Sequence, residues 1–281
     1  MGVLRLGLVQ ISARAYELDD NLKRALSLAK KACAQGAKII VFPELFDCGY
    51  CVSDKDEIFG IDLKKASSNP SFKALSEFAR TNEVYIIACS IEKEGKKLYD
   101  TAFILSPRGK LVGKHRKIYL FNTEKKRFQR GKKYKVFDLK FKDFCVKTGL
   151  QICYELGFGE GARALALKGA DLLIYPSAFG KARTYNWDLL SRVRALENGC
   201  FVVACGLSGT SFDEGFKEKL EFAGRSRIIS PKGRIIKEVS ENEAYLVCEL
   251  DLSEVEAQRR ALTYLKDFDV KMLKKAFKGI K

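Results

Sequence analysis

Short apolar runs alternate along the whole chain with amphipathic stretches, and glycine or proline closes most of them. That alternation admits strand–helix–strand units and hairpins and little else. Val3–Ile11 has the strand pattern. Asp20–Gln35 places Leu22, Ala25, Leu26, Ala29 and Cys33 at helical spacing and stops at Gly36, a residue suited to a helix end. Lys38–Phe42 is an apolar strand that runs into Pro43-Glu44. Pro70–Thr81 predicts a helix, strands follow near Val84–Ile91 and Asp100–Ser106, and Pro107-Arg108-Gly109 turns the chain into Lys110–Lys114.

The second half repeats this logic. Phe144–Cys153 predicts a strand, Gly161–Lys168 a helix closed by Gly169, Asp171–Pro176 a buried strand, Tyr185–Asn198 a helix ended by Gly199, and Cys200–Cys205 another strand. Ser226–Ser230 and Arg234–Val239 flank Pro231-Lys232-Gly233 as a hairpin, and Ala244–Leu250 adds a last strand. The expected architecture is α/β: two mixed sheets packed together with helices outside, a four-layer αββα sandwich. One domain over residues 1–252 is expected, followed by a basic, partly helical arm at 253–281.

Composition narrows the functional classes. With 47% hydrophobic and 31% charged residues the chain is an ordinary globular one, and no apolar run approaches the roughly 20 residues of a membrane helix. Met1 to Ile11 carries Arg5 and Gln10 and reads as a first strand rather than a signal peptide, so the expected compartment is the cytoplasm. Nine cysteines, an odd number, suggest reduced thiols. Cys48-Gly49-Tyr50-Cys51 has redox or half-zinc spacing, but no second pair and a single histidine, His115, leave it without partners for a metal. Neither a metal nor a cofactor is expected. The formal charge of +16 raises nucleic acid as a partner, and fourteen Lys/Arg between Arg108 and Lys142 face only Glu124 and Asp138. Without zinc-finger spacing or a ribonucleoprotein motif, this stretch reads as a solvated basic face, and nucleic acid is not the expected partner.

Catalytic groups in α/β folds collect where strands leave the sheet. Three such exits carry reactive side chains here: Lys38–Phe42 delivers Glu44, the segment around His115 delivers Lys117, and Phe144–Ile152 delivers Cys153. Glu44 follows four apolar residues and a proline, a place where a carboxylate needs a partner. A Cys–His pairing is the competing enzymatic arrangement, with His115 as its one candidate base.

In that combination the chain resembles the nitrilase, or carbon–nitrogen hydrolase, superfamily, in its amidase-like branch. The matching motifs are FPELFDCGY around Glu44, HRKIYLF around Lys117 and GLQICYELGFGE around Cys153. Glu124…Phe128…Gly131, Trp187…Arg194-Ala195…Glu197-Asn198 and Ser226…Pro231-Lys232-Gly233 add support, and the resemblance spans about Val3 to Leu252. It implies that Cys153 is a nucleophile, Glu44 its base, and Lys117 with the Tyr154 N–H the oxyanion donors. It further implies that Glu124 is a second glutamate orienting the site, that Tyr50 and Phe179 contact substrate, and that the chain self-associates as a dimer or larger.

The substrate expected from this resemblance is a small linear amide or N-carbamoyl compound, with a nitrile as the alternative. Leu156 and Gly157 stand where relatives acting on free acids carry an arginine, a departure that argues against a free-acid substrate, although Lys181 or Arg183 could supply charge. Glu155 and Glu160 read as structural acids near a helix start. A basic nucleic-acid-binding protein and an inactive scaffold are the non-enzymatic readings.

Overall fold

The computed structural model describes residues 2–279; Met1 and residues 280–281, at the ends of the expected domain and arm, lie outside them. In chain order the first half runs β1 (Val3–Gln10), α1 (Leu18–Ala34), β2 (Ile39–Val41), α2 (Asp56–Phe59), α3 (Pro70–Asn82), β3 (Tyr85–Glu94), β4 (Lys97–Leu105), β5 (Leu111–Arg116) and α4 (Glu124–Arg127). The second half runs β6 (Val136–Lys140), β7 (Cys145–Leu150), α5 (Gly159–Leu167), β8 (Leu172–Ser177), α6 (Thr184–Asn198), β9 (Phe201–Gly206), β10 (Thr210–Asp213), β11 (Glu218–Glu221), β12 (Arg227–Ile229), β13 (Ile235–Glu238) and β14 (Ala244–Asp251). Three helices close the chain: α7 (Ser253–Ala261), α8 (Tyr264–Asp267) and α9 (Val270–Ala276).

The strands form two six-stranded mixed sheets, ordered β14-β1-β2-β3-β4-β5 and β13-β12-β9-β8-β7-β6. Each has three parallel central strands, with Leu6 opposite Ile39 and Ile39 opposite Tyr85 in one, and Thr148 opposite Leu172 and Leu172 opposite Phe201 in the other. Antiparallel strands extend both edges. The expected α/β sandwich of two mixed sheets is therefore present.

Period-two alternation sorts the side chains between layers. On β2, Ile39 and Val41 join the core shared with Leu172 and Ile174 of the other sheet, while Ile40 between them packs with Ala25 and Ala29 of α1. Helix boundaries follow their local chemistry. Asn69 caps α3 by accepting from the Phe72 N–H, with Pro70 in its first turn, and Gly199 ends α6 at φ +54°.

Three features differ from the sequence reading. Strand β7 stops at Leu150, so Cys153 starts a separate 3-10 turn, Cys153–Gly157. A small hairpin, β10–β11, carries too few apolar residues to announce itself, and the edge strand β6 (VFDLK) was hidden in the basic run. The region after Leu252 also begins as an integral helix: Val255 and Gln258 of α7 are buried, the Arg259 guanidinium donates to the Ala170 carbonyl at 2.5 Å, and α8 packs on α5 and α6. No helix among the described residues is long and apolar enough to cross a membrane.

Candidate active site

Glu44 sits in the turn after β2, fully buried. One carboxylate oxygen accepts from the Lys117 ammonium at 2.5 Å and the other from the Ala178 N–H, just past β8, at 2.6 Å. This carboxylate joins the two sheets. Lys117 follows β5 directly, its backbone held by the Asp100 carbonyl and the Gly131 N–H. Its Nζ lies 2.7 Å from Glu124 and 3.3 Å from Asp100 on β4. Glu124, the first residue of α4, also accepts from the Tyr50 hydroxyl at 2.6 Å and the Phe121 N–H at 2.7 Å.

A buried ammonium is costly unless its charge is matched. Desolvation pulls Lys117 towards the neutral amine, but Glu124, Glu44 and Asp100 together outweigh it and hold the ammonium well above the usual lysine range. For Glu44 the balance runs the other way: burial raises the carboxyl well above its ordinary value, Asp100 and Glu124 add to the rise, and Lys117 opposes it. Oxygens of Glu44, Asp100 and Glu124 lie within 4.8 Å of one another, a spacing that suits a metal ion. Lys117 Nζ already stands among these oxygens, so the protein's own cation fills the role a metal would take.

Cys153 opens the 3-10 turn with φ +46°, a left-handed conformation that a non-glycine residue adopts only when its surroundings enforce it. The enforcing group is Glu155. Its carboxylate accepts from the Ile152 N–H at 2.8 Å, from the Ile118 N–H at 3.0 Å, and pairs with His115 Nε2 at 2.8 Å. One buried side chain thus fixes the backbone next to both Cys153 and Lys117. His115 is engaged there and stacks on Tyr134, so the arrangement favours Glu44 over a Cys–His pair. Burial pushes the Cys153 thiol well above its ordinary value, Glu44 adds to the rise, and Lys117 and the Ala178 amide oppose it. The Tyr154 N–H lies in the first turn of the 3-10 segment, where amides have no intrahelical acceptor.

Cys153 faces a cavity of about 100 Å³ lined by Tyr50, Tyr154, Phe179, Phe121, Leu190, Leu220 and Phe222, with Arg183 and Asn186 as its polar side chains. All three expected contact residues, Tyr50, Tyr154 and Phe179, line it, while Glu44, Lys117 and Glu124 lie behind it. Asp100 escaped the sequence reading, although an acid inside Leu98-Tyr99-Asp100-Thr101-Ala102-Phe103 already signals a buried charge needing a partner. Leu220 and Phe222 were missed because the hairpin that carries them was missed.

Residues 5–260 match the family model described as carbon–nitrogen hydrolase. The chain belongs to the carbon–nitrogen hydrolase family. A nitrilase of Pyrococcus abyssi is 38% identical over 259 residues, covering 92% of this chain and 93% of that protein. An omega-amidase, NIT2 of Mus musculus, is 32% identical over 277 residues, covering 95% of each. The structure of a mutant amidase from Nesterenkonia sp. AN1, with acrylamide added at its active-site cysteine, matches with a TM-score of 0.82 at 25% identity, covering 97% of this chain and 99% of that one. As a carbon–nitrogen hydrolase the chain is an enzyme of the amidase type, and amide C–N hydrolysis fits the family and the relatives.

Proposed function

We propose that this carbon–nitrogen hydrolase cleaves a small linear amide through a thioester on Cys153. The thiol passes its proton to Glu44, and the sulfur attacks the carbonyl carbon. The carbonyl electron pair moves onto oxygen, where the Lys117 ammonium and the Tyr154 N–H hold the oxyanion. Collapse expels the amide nitrogen, which takes the proton from Glu44 and leaves as ammonia. Glu44 then accepts a proton from water, the hydroxide attacks the thioester, and the departing thiolate recovers that proton as the acid is released. Glu124 holds Lys117 in place.

The observation that carries this reading is the bridge made by Glu44, which binds the Lys117 ammonium with one oxygen and, with the other, the amide of Ala178, a residue that lines the same cavity as Cys153. A base, an electrophile and a nucleophile then meet in one desolvated site. The high thiol value means the resting nucleophile is protonated, so the base must act in the same step as the attack.

Ammonia release across ω-amides, aliphatic amides, N-carbamoyl compounds and nitriles, with Cys153→Ala alongside, tests the reading. Release that vanishes in the variant, with a thioester mass on the wild type, is the expected result. A nitrile turned over faster than every amide overturns the substrate class. The exposed apolar face of Leu189, Val193 and Leu196 on α6, together with α9, supports self-association involving the 253–281 segment. Nine free thiols support a reducing compartment such as the cytoplasm.

A further inference from the structure

A second cavity, of about 460 Å³, lies at the β5 edge of the first sheet and shares no lining residue with the one above Cys153. Glu94 is the one carboxylate that lines it, and it is occupied by Lys64 and Arg116, each at 3.0 Å. Buried Glu92 on β3 takes Arg116 at 2.7 Å and also Lys114. Four further cations line the cavity, Arg130, Lys132, Lys133 and Lys135, and none of them has a carboxylate partner among the described residues. The loop that carries these four is fastened to the backbone of Lys117. The Gly131 N–H donates to the Lys117 carbonyl at 2.7 Å, and Arg130 Nε donates to the carbonyl of Ile118 at 2.7 Å. A Cβ at Gly131 would lie 1.9 Å from the Arg116 carbonyl oxygen, so only glycine lets the loop pass this close. Residues 116–118 are therefore clamped by the same segment, 130–135, whose like charges repel one another.

Unpaired cations gathered in a concave site match a compact ligand that carries several negative charges, and both arginine and lysine suit phosphate oxygens. Tyr99 is the one aromatic side chain that lines the cavity, and the Arg116 guanidinium already covers it, 3.7 Å from the ring centroid. No ring is left to stack on a base, which sets this cavity apart from a groove for single-stranded nucleic acid. We propose that it binds a small oligophosphate through its phosphate groups, and that the bound anion, by relieving the repulsion in 130–135, tightens the clamp on the Lys117 backbone. This site goes beyond the amidase reading and does not depend on it.

Calorimetric titration of the full chain with sodium tripolyphosphate, with ATP and adenosine alongside, tests the site, and hydrogen exchange at the Gly131 amide tests the clamp. The loop variant is Lys132→Ala/Lys133→Ala/Lys135→Ala. A control of equal net charge, Lys23→Ala/Lys30→Ala/Lys31→Ala, removes three exposed lysines from α1. The expected result is tripolyphosphate binding that weakens with salt, falls at least ~10-fold in the loop variant and changes less than ~2-fold in the control. Gly131 exchange slows on binding in the wild type and stays unchanged in the loop variant. ATP as tight as tripolyphosphate admits the phosphate tail of a nucleotide as the source, and ATP at least ~10-fold weaker leaves free oligophosphate; both support recognition through phosphates. Adenosine binding overturns it. Equal losses in the two triple variants, or a single-stranded RNA that binds where tripolyphosphate does not, overturn the site in favour of a diffuse basic face. Binding that leaves Gly131 exchange unchanged overturns the clamp. Failure of the amidase reading moves none of these readouts.

Discussion

Two cations stand close to Cys153 and its cavity, and their surroundings are opposites. Lys117, after the last strand of the first sheet, is completely enclosed and bonded to Glu44 and Glu124, with Asp100 at 3.3 Å. Arg183, beyond β8 of the second sheet, is half-buried, stacked on Phe121 and without a carboxylate among the described residues. The difference teaches how each charge is held. On the proposed mechanism an ammonium that must stay at one point through two tetrahedral states is caged by protein carboxylates, whereas Arg183 has no carboxylate partner among the described residues. On the proposed mechanism the first sheet supplies the fixed electrostatics, and the second supplies the nucleophile and most of the cavity wall.

Removing the caged cation tests the contrast most severely. Lys117→Ala leaves three buried carboxylates without a counter-charge, and stability is expected to fall by ~3–5 kcal/mol. Activity falls ~10³-fold with the loss of an oxyanion donor. Arg183→Ala breaks no internal pair and is expected to shift stability by less than ~0.5 kcal/mol. Urea unfolding of both variants beside ammonia release decides the matter. Equal destabilisation would mean that Arg183 belongs to the framework.

The next largest effect concerns the latch that holds the two regions in register. Glu155→Ala removes the acceptor for Ile152 and Ile118 and unpairs His115, releasing the left-handed turn at Cys153. A ~10²-fold fall in kcat with little change in KM is expected, because misplacement of the attacking atom is felt in the transition state. An unchanged kcat would show that the turn is held by other means.

Smaller still is the pH response. Because the Glu44 carboxyl lies well above the ordinary range, for burial first and for Asp100 and Glu124 next, the base is lost to protonation at a higher pH than a solvent carboxylate would be. As pH falls through that value kcat/KM should drop about tenfold per unit. An acid limb confined to the usual carboxylate range would place the base elsewhere.

The sequence announced the chemistry better than the geometry. Glu44 and Cys153 stood out after apolar runs, whereas Lys117 follows the mixed stretch Leu111–Arg116 and became legible only in combination, through the ordered motifs that resemble the family. The left-handed turn at Cys153 was hidden, since Thr148–Ile152 continues the apolar pattern two residues past the last ladder pair at Leu150. The contact between Glu44 and Ala178 joins residues 134 positions apart, and strand β14 closes on β1 across most of the chain. Such pairings depend on the packing of whole sheets, and no local pattern encodes them. Arg183 was visible as a spare charge, but its lack of a partner became apparent only beside the ion pairs of Lys181 with Glu221 and Glu241.

Tyr50 sits on the boundary between the two regions, with its ring in the cavity and its hydroxyl on the caged side. Its hydroxyl donates to the same Glu124 oxygen that takes the Lys117 bond. Burial, and then the Glu124 charge, keep the phenol protonated and therefore a donor over the working range. In Tyr50→Phe the ring stays, and Glu124 keeps Lys117 and the Phe121 N–H, so no charge is left unpaired. The expected cost is therefore about 1 kcal/mol, a roughly fivefold loss of kcat/KM. If the loss approached that of Lys117→Ala, the hydroxyl would be moving a proton during the reaction, and the division into a fixed electrostatic region and a shape-giving one would fail at Tyr50.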